Sequence, residues 1–160
     1  MRILAIDPGY ERLGIAILER TPGSRKEVLV HSDCFKTPAS LPFPERLWMI
    51  GQAVGKTIET YDPTALAIET LLWGANAKTA IKVAEARGVV LYEAASRGLA
   101  VYEYTPQAIK LAAGGYGGSR KKEVASLIHR LIDIQKPIKY DDELDAIAIG
   151  ITCFATERNL

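Results

Sequence analysis

The stretch ILAIDPGYERLGIAIL, residues 3–18, is two apolar runs joined by a polar turn. Residues 2–7 and 14–19 each read as a short apolar strand. Pro8 and Gly9 are turn chemistry, and the connection is short enough for a hairpin. One carboxylate, Asp7, stands at the tip of the first run. A carboxylate at the end of a buried strand cannot join the core without a steep desolvation cost. It must meet solvent, a cation or a metal ion.

Outward from this hairpin the chain alternates between two periods. EVLVHSDCF (27–35) is rich in β-branched and aromatic residues and reads as a third strand. TPASLPFP (37–44) is a proline-rich loop. The helix after it carries Leu47, Ile50, Val54, Ile58 and Tyr61 on one stripe. TALAIE (64–69) is a short buried strand. Residues 76–96 have helical spacing, with Asn76 as N-cap and a small-residue face of Ala77, Ala80, Ala84, Gly88 and Leu91. LAVYEY (99–104) is the next strand, and Thr105 followed by Pro106 starts a helix. GGYGGS (114–119) breaks it. A basic helix runs from about Arg120 to Ile132, and DDELDAIAIGITCFA (141–155) is the last helix. Hairpin strands followed by β-α-β crossovers predict one mixed sheet with helices packed on it, a three-layer α/β domain.

The totals set bounds. With 160 residues the chain is sized for one domain, 1–160, with no linker or internal repeat. A net charge of +1 does not announce a nucleic-acid partner, so that reading has to come from local clusters. Cys34 and Cys153 stand in no metal-ligand spacing and suit a reducing, cytoplasmic setting. No signal peptide and no membrane-spanning stretch is visible, so no membrane partner is expected.

Two further carboxylate positions join Asp7. Glu69 ends its own apolar run. In DDELDAIAIG, Asp142 and Asp145 are three apart and share a helix face. Asp141 reads as the N-cap and Glu143 as a solvated neighbour. Four converging acids, Asp7, Glu69, Asp142 and Asp145, repel one another unless cations neutralise them. Oxygen ligands suit hard divalent ions, Mg²⁺ or Mn²⁺. Two such ions about 3.5–4 Å apart are a known solution for phosphodiester chemistry. The histidines, His31 and His129, sit in no ligand pattern.

From Lys110 to Lys139 seven basic residues face two acidic ones. Arg130, Lys136 and Lys139 read as a solvated helix face. GGYGGSRKK differs, because glycines admit a phosphate backbone closely and the next helix offers free N–H groups. Arg120, Lys121 and Lys122 add charge there. Tyr116 either stacks on a base or sugar or anchors its loop. Lys78 and Lys82, one turn apart, stand on the helix after Glu69.

The motifs AIDPG…GIA, AIE followed by NAKTAIKVAEARG, YTPQAIK, GGYGGSRKKEV and DELDAIAIG resemble, in order and spacing, those of the bacterial Holliday junction resolvase family, RuvC. The resemblance spans the whole chain. It implies an RNase H-like fold, five strands with helices on both faces, and a homodimer with dimer contacts through helix 76–96. It implies a Mg²⁺-dependent endonuclease that nicks opposing strands of a four-way DNA junction in recombination and repair, in cooperation with RuvA–RuvB. The family's four acids carry over to Asp7, Glu69, Asp142 and Asp145, and two DNA-handling lysines to Lys110 and Lys121. The chain departs from the family pattern after Glu69, with Thr70 and Leu72 in place of the usual Gln and aromatic residue. Trp73, one place later, either stacks near the crossover or fills an apolar gap.

Three other readings share parts of this pattern. An ATP-binding fragment of the actin/sugar-kinase type also opens with a strand, an Asp and a glycine turn, but needs two such domains. Another RNase H-like nuclease, acting on RNA–DNA hybrids or ribosomal RNA precursors, would keep the same acids. A catalytically silent junction-binding subunit would not need all four.

Overall fold

The computed structural model describes residues 1–21, 23, 26–71, 77–114, 121–132, 134 and 136–157, without the side chains of residues 77, 78, 114 and 121–124. Three strands come first: β1 (Arg2–Asp7), β2 (Arg12–Arg20) and β3 (Glu27–Lys36). Then follow α1 (Phe43–Tyr61), β4 (Ala65–Glu69), α2 (Ala77–Ser96), β5 (Ala100–Tyr104), α3 (Pro106–Gly114), α4 (Lys121–Leu131) and α5 (Asp141–Thr156). This is the succession read from the sequence. β2 starts two residues earlier than its apolar run, because Arg12 and Leu13 pair with Lys36 and Phe35 of β3. Thr105 accepts the Ala108 N–H at 3.2 Å and so caps α3 as expected.

The strands form one sheet in the order β3-β2-β1-β4-β5. β1 pairs antiparallel with β2 and parallel with β4, which places it at the centre of a mixed sheet. The β4–α2–β5 unit is the crossover that a parallel pair requires. Strand alternation then divides the core in two. Leu4, Ile6, Leu66 and Ile68 meet Ile50, Val54 and Ile58 of α1 and Ala86, Val90 and Ala94 of α2. Ile3, Ala5, Ala65 and Ala67 meet α3, α4 and α5 on the opposite face. Helices therefore cover both faces, which is the expected three-layer arrangement.

The face under α5 is built of small residues. Ala5 is registered with Ala16 and Ala67, and Ala16 with Ser32. This row gives α5 room to lie close to the sheet, and its residues from Ala146 to Phe154 are buried. A helix apolar on nearly all sides is what such a position needs.

One local expectation changes. Asp141 is not the N-cap: it is the first residue of α5, and Tyr140 holds the cap position in extended conformation without a side-chain cap bond. The small-residue face of α2 divides. Ala84 and Gly88 are exposed, beside Ile81 at 63% and Tyr92 at 70%, because Ala86, Val90 and Ala94 take the inward positions. Leu91 instead packs against the α1–α2 core. The proposed Asn76 cap and the GGYGGS loop beyond Gly114 lie outside the described residues.

Candidate active site

Parity and register bring the strand-end acids together. Ile3 and Ala5 face α5, so Asp7 faces it too; Ala65 and Ala67 place Glu69 on the same side. Ile6 pairs with Ile68 in the parallel β1–β4 ladder, so Asp7 and Glu69 are the next step along adjacent strands. Asp7 also pairs with Gly14 on its other flank.

Gly14 admits the helix that brings the other two acids. A Cβ built there would overlap the carbonyl oxygen of Asp142 and lie 3.1 Å from the Cβ of Asp7. The first turn of α5 thus rests on bare backbone beside Asp7. Asp142 points toward β2 and β3: its Oδ2 pairs with Arg12 Nε at 3.2 Å and lies 4.0 Å from the Cys34 thiol. Burial, and next the Asp142 charge, push that thiol up and keep it protonated.

Glu69 and Asp145 form the other half. Burial first, and the charge of Asp145 second, raise the Glu69 carboxyl above its ordinary value, while Lys110 pulls it down. Lys110, exposed on α3, thus acts electrostatically on Glu69. Asp7 thus lies beside the Asp142 turn, and Asp145 is near enough for its charge to be felt at Glu69. Among the described residues no three His, Cys, Asp or Glu side chains are grouped closely enough to hold one ion together. The donor chemistry nevertheless fits a hard divalent cation: all four ligands are carboxylates, and the Glu69–Asp145 repulsion is what a cation relieves.

Several supporting residues had no signal in the sequence. Arg87 of α2 donates from Nε to the Glu69 carbonyl at 3.1 Å and ion-pairs with Glu103 of β5. Buried Arg46 of α1 donates to Thr37 Oγ1 at 2.8 Å and to the Tyr10 carbonyl at 3.2 Å, which holds the turn after Asp7. Lys82 reaches the Tyr10 and Phe43 rings at 5.5 Å, so it braces this turn. Glu143 is not solvated. It is buried and pairs with Lys136, which is therefore not simply a member of a solvated face. Periodicity marks none of these, since each partner lies outside the residue's own helix or strand.

Trp73, Tyr116 and Arg120 lie outside the described residues, as do the side chains of Lys78, Lys121 and Lys122. Arg130 is exposed on α4, as read, and His129 beside it is exposed too; Lys139 is exposed but lies, like Lys136, in the connection from α4 to α5 and not on a helix face.

Against this geometry the comparisons are direct. The family model for crossover junction endodeoxyribonuclease RuvC matches residues 3–153. The crossover junction endodeoxyribonuclease RuvC of Desulfitobacterium hafniense is 42% identical over 160 residues, 100% of this chain and 95% of that one. The chain belongs to the RuvC family. RuvC of Thermus thermophilus superposes with a TM-score of 0.86 at 31% identity, covering 97% of this chain and 95% of that one. The T. thermophilus RuvC solved in complex with Holliday junction substrate superposes with a TM-score of 0.87 at 32% identity, over 95% and 92% of the two chains. The RuvC fold is thus the RNase H-like architecture described above. No helix among the described residues is long and apolar enough to cross a membrane.

Proposed function

We propose that this RuvC Holliday junction resolvase cuts opposing strands of a four-way DNA junction by metal-assisted phosphodiester hydrolysis, within one nuclease domain spanning residues 1–160. The supporting observation is the meeting of the Asp7 strand end with the first turn of α5 across Gly14, with Glu69 as the adjacent strand end. Asp7, Glu69, Asp142 and Asp145 would hold Mg²⁺, with Mn²⁺ as a substitute. Held there, divalent ions would supply an activated water and neutralise charge at the leaving 3′ oxygen.

The chain's own residues do the positioning. Asp7 ends the central strand and is reached from both flanks, so it suits the shared ligand. Arg87 fixes the backbone of Glu69. Lys110 offsets negative charge at Glu69. Arg120, Lys121 and Lys122 contact phosphates, which position DNA without reading its sequence. Lys78, Tyr116 and Trp73 complete the DNA surface. Binding of this kind weakens steeply with salt.

The exposed α2 face, Ile81, Ala84, Gly88 and Tyr92, supports a homodimer. Two sites about a two-fold axis suit symmetric nicking of a two-fold substrate. The cytoplasm is the setting, with RuvA–RuvB as the partner that moves the junction.

The test is cleavage of a synthetic four-way junction with a mobile core in Mg²⁺, with linear duplex and RNA–DNA hybrid as controls. Paired symmetric nicks confined to the junction are expected. Asp7→Asn should lower cleavage at least about a hundredfold, or about 2.7 kcal/mol, with junction binding kept. Preferred cutting of the hybrid would move the function to another RNase H-like branch.

A further inference from the structure

Glu143 sits between two of the four acids in sequence, yet it turns into the protein. It is 4% exposed, accepts the Ser32 hydroxyl at 2.7 Å, and pairs with Lys136 Nζ at 2.6 Å. Lys136 also donates to the Ser32 carbonyl. Each of the three residues therefore touches the other two. Ser32 lies on β3, on the face that α5 covers, and Lys136 lies in the connection from α4 to α5.

The pair is buried on the Glu143 side alone, Lys136 being about half exposed; an ion pair with a buried member adds little net stability, because desolvation offsets much of the attraction, and its best-attested use is to fix a register. Here the register is the rotation of α5. At about 100° per residue, Asp142 and Asp145 lie about 60° apart, and Asp145 lies about 160° from Glu143. Anchoring Glu143 on β3, one edge of the sheet, therefore turns Asp145 the opposite way. The sheet order makes this consequential: along β3-β2-β1-β4, Glu143 is held at β3 and the Asp142 turn rests over Gly14 of β2, so the side of α5 that carries Asp145 is the one away from β3, toward β4.

We propose that Ser32, Lys136 and Glu143 form a latch that sets the rotation of the first turn of α5 and so aims Asp145 at Glu69. They are positioning residues, and the proposal rests on the four-acid centre above. Lys136 also keeps a fifth carboxylate out of that centre by holding it on β3. Breaking the latch lets the turn rotate and loosens the ligand set.

The test uses the full chain. Mn²⁺ binding to the DNA-free protein is read from the electron paramagnetic resonance signal of free ion. The Mg²⁺ concentration for half-maximal junction cleavage and the thermal midpoint are read in parallel. Lys136→Met leaves the Glu143 carboxylate buried without its cation. Lys136→Met with Glu143→Leu replaces the pair by apolar groups and restores the thermal midpoint. Both variants should weaken Mn²⁺ binding and raise the Mg²⁺ requirement roughly 10- to 100-fold. Lys136→Arg should restore both. Wild-type metal affinity in the double variant, or in Lys136→Met itself, would overturn the latch. Asp145→Asn separates the premise: if it binds Mn²⁺ and cuts like wild type, the four-acid centre is wrong and the latch has nothing to aim.

Discussion

Gly14 of β2 lies against the carbonyl of Asp142 at the start of α5, with no room between them for a side chain. The contact is backbone to backbone, so neither partner can yield by changing rotamer. It sets how near the acid-bearing turn comes to Asp7, which pairs with Gly14 across the β1–β2 ladder. A hairpin glycine thus decides the geometry of a helix more than a hundred residues away in the chain.

Gly14→Ala should therefore displace the first turn of α5. Overpacking of this kind costs about 1–3 kcal/mol. Junction cleavage should fall by more than the stability loss explains, because the acids move apart. Thermal denaturation and single-turnover cleavage, measured on the same preparation, check this. Near-normal cleavage would show that the turn adapts.

Arg87 tests the other half of the site. Its Nε–H holds the Glu69 carbonyl, and its guanidinium pairs with Glu103. Arg87→Lys keeps the charge but loses the forked donor geometry. Stability should fall by about 1 kcal/mol, the usual net worth of one hydrogen bond. Cleavage should drop by more than the fivefold or so that this energy represents, with junction affinity unchanged. A binding titration beside the cleavage time course distinguishes a misplaced Glu69 from a lost DNA contact.

His31 gives a pH dependence away from the acids. Its ring stacks on Tyr61 with centroids 5.0 Å apart. Burial first and Lys136 second lower its pKa below the ordinary 6.5, against the opposing pull of Asp33 and Glu143. The unfolded chain therefore binds this proton before the folded one does. Its contribution to stability is full above the ordinary value and is lost as pH falls from there through the lower folded value. His31→Phe keeps the stack and removes the titration. Thermal midpoints against pH should lose that component of the acid-side decline.

The α2 surface gives the last prediction. A Cβ at Gly88 meets nothing within 4 Å, so Gly88→Arg is tolerated by the single chain. If α2 forms the dimer contact, this variant should sediment as a monomer at micromolar concentration while wild type sediments as a dimer. Its thermal midpoint, measured beside the sedimentation run, shows that the fold is intact. A dimeric variant would place the two-fold contact elsewhere.

The parts legible in the sequence are those with a local cause. Asp7 and Glu69 stood out because each ends an apolar run, and desolvation alone makes such acids conspicuous. Element order followed from periodicity and turn residues, and Asp142 and Asp145 from helical spacing. The inaccurate readings share one reason. Asp141 and Glu143 are placed correctly on their helix, but spacing says only which residues share a face, not what that face meets. Glu143 is buried because Ser32, 111 positions earlier, waits on β3.

By itself, then, the sequence determined which elements form, which acids end the strands and which two share a helix face, because these depend on near neighbours. Only the tertiary structure decided which helix faces are covered, that Asp7 and Glu69 are adjacent, and that Glu143 is turned away onto β3. Those outcomes depend on strand order and on the close approach at Gly14, which bring distant segments into contact.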